Sequence, residues 1–305
     1  MTQGQLKRVV VAGGTGLVGR QLVAALLAEG ARVTVLSRTP ERAALPAGAE
    51  ARPWTDLPGV LAGAEAVINL CGEGIADRRW SAERKRALLD SRLEPTLRLA
   101  AALGQLGPNP PALINASAVG IYGPGDGTLL DETRAAGPGF LADLCRQWEA
   151  AADSALAHGV RVVKLRIGIV LAREGGALPK LALPIKLFAG TRLGDGRQGF
   201  SWIHIQDLVQ LFLEAARDPA YAGAVNATAP EPVSNAAFTR AVARRLHRPV
   251  LPVPAWVTRA AMGLLLGEMA DEMLLRGPLV APAKALGLGM TFRFPTVSAA
   301  LADLL

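Results

Sequence analysis

Short apolar runs alternate with helical periodicity from the start of the chain. Arg8–Ala12 (RVVVA) is continuously apolar, the pattern of a strand covered on both faces in a parallel sheet. The run breaks at Gly13-Gly14-Thr15-Gly16, and Leu17–Glu29 follows with Leu17, Val18, Leu22, Ala25 and Leu26 on one helical face, closed by Gly30. Arg32–Leu36 (RVTVL) and Ala66–Leu70 (AVINL) read as further strands, and Ser81 to Leu103 as a helix. Ala112–Ala116 (ALINA), a glycine-rich loop and a helix from Phe140 to Ala157 repeat the unit, and Val160–Leu171 (VRVVKLRIGIVL) reads as the next strand. Repeated strand–helix alternation predicts an α/β fold, a doubly wound parallel sheet of the Rossmann type.

The texture changes after Leu171. Ala172–Phe200 is rich in glycine and proline and too long for a passive loop. Ser201–Ile205 and the helix after Asp207 return to regular alternation, and a terminal strand is expected at Phe292–Phe294. The expected organisation is a nucleotide-binding domain over residues 1–171, rejoined by 201–228. Residues 172–200 and 229–305 form a smaller C-terminal substrate lobe.

Composition narrows the class. Half of the 305 residues are hydrophobic and 19% are charged, which excludes a disordered chain. No apolar run reaches the ~18–20 residues that span a bilayer, and the N-terminus lacks the apolar core of a signal peptide. Two cysteines cannot build a disulfide framework, so a cytoplasmic setting is expected. The net charge of +7 comes without any block of five like charges. The expected partner is a small molecule, anionic or hydroxylated, rather than a nucleic acid or a membrane.

Gly13, Gly14, Thr15, Gly16, Leu17, Val18 and Gly19 spell G-x-x-G-x-x-G at a strand-to-helix turn. Glycine there lets the backbone approach a pyrophosphate, whose charge the free N–H groups at the helix start can hold. The second strand ends at Leu36-Ser37-Arg38, with no acid before Glu41 to take a ribose 2′-hydroxyl. Ser37 and Arg38 suit a 2′-phosphate, which points to NADP(H), unless Arg38 is only a solvated surface arginine.

With GGTGLVG at 13–19, the segments INLCGEGIADRRW (68–80), DSRLEPT (90–96), SAVGIYGPGD (117–126), WEAAA (148–152), RIGIVL (166–171), GDGRQGFSWIHIQDL (194–208) and LVAPAKALGLGMTFRFP (279–295) complete a pattern. On these the chain resembles the extended short-chain dehydrogenase/reductase superfamily, in its atypical nucleoside-diphosphate-sugar-epimerase-like branch with a C-terminal domain of unknown function. The resemblance implies bound NADP(H) under a C-terminal lobe. It places Leu70, Cys71 and Gly72 beside the cofactor ribose, and Ile167 and Gly168 beside the nicotinamide.

The superfamily's Tyr-x-x-x-Lys pair, in which lysine lowers the tyrosine pKa for proton exchange, is absent. Alignment from Glu149 puts Leu141 at the tyrosine position and Cys145 at the lysine position; Ser117, or Ala118 one residue on, takes the serine position. Arg92 stands where many members have an active-site asparagine, and Phe200 where many have an arginine. Ser117 and Tyr122 are the catalytic candidates, although a tyrosine in such a loop is more often a packing residue. His204 reads as a site group or as a tie between neighbouring segments. Lys180, Lys186, Arg192 and Arg197 suit an anionic substrate or a solvated face. No metal-ligand spacing is present. Two readings follow: an NADP(H)-dependent oxidoreductase or epimerase-like enzyme, and a non-catalytic NADP(H)-binding sensor or scaffold.

Overall fold

The computed structural model describes residues 4–305. The first unit is β1 (Arg8–Ala12), α1 (Leu17–Ala28) and β2 (Arg32–Leu36). A short edge strand β3 (Glu50–Arg52) and helix α2 (Leu57–Leu61) lead into β4 (Ala66–Asn69), α3 (Ala82–Leu103) and β5 (Ala112–Ala118). After β6 (Leu129–Leu130) come α4 (Phe140–Asp153), β7 (Val162–Ile167) and β8 (Ile169–Leu171). The next segment holds α5 (Leu178–Lys186), β9 (Gly199–Phe200), β10 (Trp202–His204), α6 (Ile205–Arg217) and β11 (Gly223–Ala227). The chain finishes with β12 (Val233–Ser234), α7 (Asn235–Leu246), α8 (Ala255–Leu266), α9 (Glu268–Ala270), β13 (Leu279–Val280), α10 (Ala283–Gly287) and α11 (Val297–Leu304).

Seven strands form one parallel sheet in the order β11-β7-β5-β4-β1-β2-β3. This is the Rossmann-like α/β fold that the alternation predicts. The apolar runs divide by twos, because successive side chains of a strand point to opposite faces. Val9, Val11, Ile68 and Ile114 pack with α1 and α6 on one face, whereas Val10, Val67 and Leu113 pack with α2 and α3 on the other. A separate core joins α5, α7 and α11 through Leu178, Ala182, Phe238, Val242 and Leu301. A fourth cluster, around Leu88, Tyr122, Cys145 and Trp148, lies between α3, α4 and β5.

Two sequence expectations change. Val160–Leu171 is not one strand, since Gly168 breaks it and β8 leaves the main sheet to pair with β10. A Cβ on Gly168 would lie 2.7 Å from the Ser201 carbonyl oxygen, so the crossing needs glycine. Phe292–Phe294 is not a strand either. The carboxylate of Asp207 accepts the Arg293 and Phe294 amides at 2.8 and 3.0 Å in place of a ladder, and the two rings enter different cores. The segment 172–200 acquires α5, which buries Leu178, Ala182 and Ile185 at i, i+4 and i+7 despite Pro184.

Candidate cofactor and substrate site

The glycine turn sits at the C-terminal edge of the sheet, where doubly wound folds bind ligands. Its glycines serve different ends. Gly13 has φ +79°, and a Cβ there would meet the Leu70 carbonyl at 2.8 Å; a Cβ on Gly19 would lie 2.3 Å from the Gly13 oxygen. Gly13 is needed for the left-handed turn against the end of β4, and Gly19 for the close approach of α1 to the turn after β1. Gly16 is different: its φ of −74° suits any residue, and a Cβ would meet only the Gly13 oxygen, at 3.5 Å. The protein itself does not demand a glycine at this position, yet a group seated on the exposed start of α1 would. Thr15 and Gly16 are exposed, no side chain caps the helix, and no acid occupies its first turn. The amides there are open to an anion.

Ser37 and Arg38 leave β2 on the same edge. The Ser37 hydroxyl accepts the Thr39 amide at 3.2 Å, which keeps its proton available to donate. Arg38 is exposed and makes no hydrogen bond or ion pair among the described residues. Its charge reaches Cys71: burial pushes that thiol up to about 12, and Arg38 offsets only part of the rise. Cys71 is therefore a neutral packing group at the turn Leu70–Gly72. Asn69 pins the turn, accepting the Cys71 amide at 3.1 Å while donating to Asn115 at 2.7 Å and Thr96 at 2.9 Å. Arg92 donates to the carbonyls of Leu88 and Glu73, both at 2.9 Å, and lies over the Trp148 ring. A Cβ on Gly72 would come within 3.0 Å of that guanidinium. Arg92 thus braces the turn from behind.

Ser117 and Tyr122 enter one buried network. The Ser117 hydroxyl donates to Glu149 Oε1 at 2.8 Å, and Arg166 grips both oxygens of Glu149 at 2.8 and 3.0 Å. Arg166 also donates to the Tyr122 hydroxyl at 2.9 Å, which donates onward to Asn226 Oδ1 at 2.7 Å. Burial opposes the Arg166 charge, but the bonds and charge of Glu149 outweigh it and hold the guanidinium above its ordinary value. Burial raises the Tyr122 phenol, with Arg166 opposing, so the hydroxyl stays neutral. Leu141 and Cys145 occupy α4 beside this network. Burial and then the Glu149 charge push the Cys145 thiol up to about 12, which removes it as a nucleophile at neutral pH. Glu272 accepts the amides of Phe140 and Leu141 at 2.9 and 2.8 Å and fixes the start of α4. Ile167 and Gly168, both half-buried, lie at the end of β7, where the Gly168 amide bonds the Ala227 carbonyl at 3.0 Å.

The remaining candidates scatter. Lys180, Lys186, Arg192 and Arg197 are all exposed, and Lys180 stands 3.9 Å from Asp77 across the loop that follows Gly72. Phe200 is buried and stacked on Phe238. His204 ties segments together: it is fully buried, stacks on Phe294, accepts the Gln206 amide and lies 3.3 Å from Asp303. Among the described residues no cluster of His, Cys, Asp and Glu is placed to hold a metal ion. Sequence reasoning missed the parts played by Glu149, Arg166, Asn69 and Asn115. The available signal was polarity out of place, since Arg166, Asn69 and Asn115 interrupt otherwise apolar strand runs.

Residues 9–227 match the NAD dependent epimerase/dehydratase family, and residues 253–304 match a domain of unknown function, DUF1731. An epimerase family protein of Mycobacterium leprae is 41% identical over 99% of this chain and 97% of its own length. One from Mycobacterium bovis is 44% identical over 96% of each. The human epimerase family protein SDR39U1 (isoform 2), solved with NADPH, superposes with a TM-score of 0.85 at 36% identity, over 97% of this chain and 98% of that one. The nucleoside-diphosphate sugar epimerase of Corynebacterium glutamicum gives 0.78 at 35% identity, over 99% of this chain and 59% of that larger chain. On this length of agreement, across both the sheet domain and the C-terminal segment, the chain belongs to the NAD dependent epimerase/dehydratase family and carries the DUF1731 domain at its end.

Proposed function

We propose that this chain binds NADP(H) at the C-terminal edge of β1, β2 and β4, as an oxidoreductase or epimerase-like enzyme for a small anionic or hydroxylated metabolite. The observation that carries the reading is Gly16, a glycine that no contact of the protein requires, at the open start of α1. The α1 amides hold the pyrophosphate there, and Ser37 and Arg38 pair with the 2′-phosphate. Leu70, Cys71 and Gly72, braced by Asn69 and Arg92, flank the ribose, while Ile167 and Gly168 border the nicotinamide. The human relative solved with NADPH supports the cofactor assignment. When bound, the nicotinamide supplies a hydride donor or acceptor.

Proton handling must differ from the usual Tyr–Lys arrangement, because Leu141 has no ionisable group and the Cys145 thiol carries no charge at neutral pH. Ser117 is the hydroxyl that the fold leaves in that corner, oriented by Glu149, and Tyr122 positions Arg166 from the far side. Two free thiols fit the reducing cytoplasm expected from the sequence. The test is hydride exchange: NADPH deuterated at C4 should lose label when turned over with a panel of carbonyl compounds and nucleotide sugars, and Ser117→Ala should slow that loss. The sealed network around Ser117 and Tyr122 favours one second reading, a cofactor-binding sensor without chemistry. Retained label across the whole panel, with NADPH still bound, would decide for the sensor.

A further inference from the structure

The apolar side chains left in solvent are concentrated in one part of the molecule. Leu183, Leu187 and Phe188 at the end of α5, together with Leu251, Trp256, Leu264 and Leu265, make up most of the large exposed hydrophobics among the described residues. Helix α8 (AWVTRAAMGLLL) is apolar nearly all round, yet it buries only Thr258, whose hydroxyl takes the Gly194 amide at 3.0 Å. Trp256 is 72% exposed and Leu264 78%. A helix of this composition is ordinarily covered. The pieces are joined: the Leu251 amide bonds the Gly190 carbonyl at 2.8 Å, and the Arg248 guanidinium lies 4.3 Å from the Phe188 ring.

Charge indicates what covers it. Residues 180–198 and 240–266, which carry these side chains, hold nine lysines and arginines against the single acid Asp195. The whole chain is +7, so everything outside these two stretches is close to neutral. Exposed tryptophan and leucine beside lysine and arginine is the composition of a surface that lies in the interface of an anionic bilayer. A second copy of the chain would set like charge against like charge around the same patch, which disfavours self-association there.

We propose that the α5–α8 face attaches this protein peripherally to anionic lipid surfaces, with Trp256, Leu264 and Leu265 entering the headgroup region and Lys186, Arg192, Arg248 and Arg259 facing the lipid charge. The sequence expectation of no membrane partner rested on the absence of a spanning run, which a peripheral attachment does not need. The attachment does not depend on the proposed chemistry.

Flotation with vesicles tests it directly. The protein should float with phosphatidylcholine vesicles containing one third phosphatidylglycerol, at least tenfold more than with phosphatidylcholine alone, and high salt should release it. The triple variant Lys186→Gln/Arg192→Gln/Arg259→Gln should lose roughly a hundredfold in partitioning, at roughly fivefold per charge. Trp256→Ser/Leu264→Ser/Leu265→Ser should stop floating while unfolding at the wild-type temperature, because its altered side chains are exposed. Absence of flotation on the anionic vesicles overturns the proposal. So does a dimer in plain buffer that the serine variant dissociates, which would assign the face to a second copy.

Discussion

The turn at residues 13–19, which follows β1, and the corner formed by Ser117, Tyr122, Glu149 and Arg166, around β5 and β7, belong to one sheet with β4 between them, yet they are opposites in hydrogen bonding. The turn and the end of β2 beside it leave the α1 amides, the Ser37 proton and the Arg38 guanidinium without protein partners. The corner leaves almost nothing unmade: the Glu149 carboxylate accepts three bonds, and the Tyr122 hydroxyl both accepts and donates. Unmade bonds at an accessible surface are what a ligand completes, whereas a closed buried set fixes a conformation. On the proposed function, the open set is the receiving surface for the dinucleotide, and the closed set stands where the resemblance would place a proton-exchanging pair.

The largest effect that would sharpen this contrast comes from the closed side. Arg166→Met leaves Glu149 buried without its partner, and such a loss costs about 3–5 kcal/mol. Urea denaturation should show it as a lower midpoint with an unchanged slope. Next comes a pair within the turn. Gly19→Ala puts a Cβ against the Gly13 oxygen and should cost about 1–3 kcal/mol of stability as overpacking. Gly16→Ala has room in the folded protein and should melt like the wild type, yet bind NADPH at least tenfold more weakly. If the two alanine variants behaved alike, the distinction between packing and ligand glycines would fail. Tyr122→Phe should cost about 1–3 kcal/mol, because it leaves Arg166 and Asn226 without their shared hydroxyl, and NADPH affinity should hold.

The smallest effect is with pH. Burial lowers the His204 pKa below its ordinary 6.5, against the opposing bond and charge of Asp303. As pH falls through about 6.5 the unfolded chain therefore takes up a proton before the folded one, and stability present in full above that pH is progressively lost. Melting temperatures measured between pH 7.5 and 5.5 should fall toward the acid end, and His204→Gln should flatten the slope.

Much of this architecture is legible in the sequence, because its signals are local. RVVVA, the glycine turn and RVTVL lie within thirty residues, and each announces its own geometry. The strand β3 (EAR) escapes notice because an exposed edge strand needs no apolar alternation. The break at Gly168 is set by the Ser201 carbonyl, thirty-three residues away in the chain. The network of Glu149 and Arg166 is similarly invisible to spacing rules: one residue is on a helix, the other on the following strand, and only the pairing of β5 with β7 brings Ser117 opposite Arg166. Arg166 inside VRVVKLRIGIVL is the one trace it leaves, since a charge in a buried strand needs a partner. The roles expected of Ser117 and Tyr122 came from the resemblance, and the structure adds what holds them.

Cofactor choice tests the central claim most directly. A charge-assisted bond between Arg38 and a 2′-phosphate is worth about 1.5–3 kcal/mol, or roughly ten- to hundredfold in affinity. NADH has no 2′-phosphate to meet Arg38, and no acid precedes Glu41 after β2 to take its 2′-hydroxyl. Calorimetric titration of the wild type and Arg38→Ala with NADPH and NADH should show tighter NADPH binding in the wild type, weakened by salt, and a loss in the variant confined to NADPH. Equal affinities of the wild type for the two cofactors would contradict the assignment of this edge of the sheet to NADP(H).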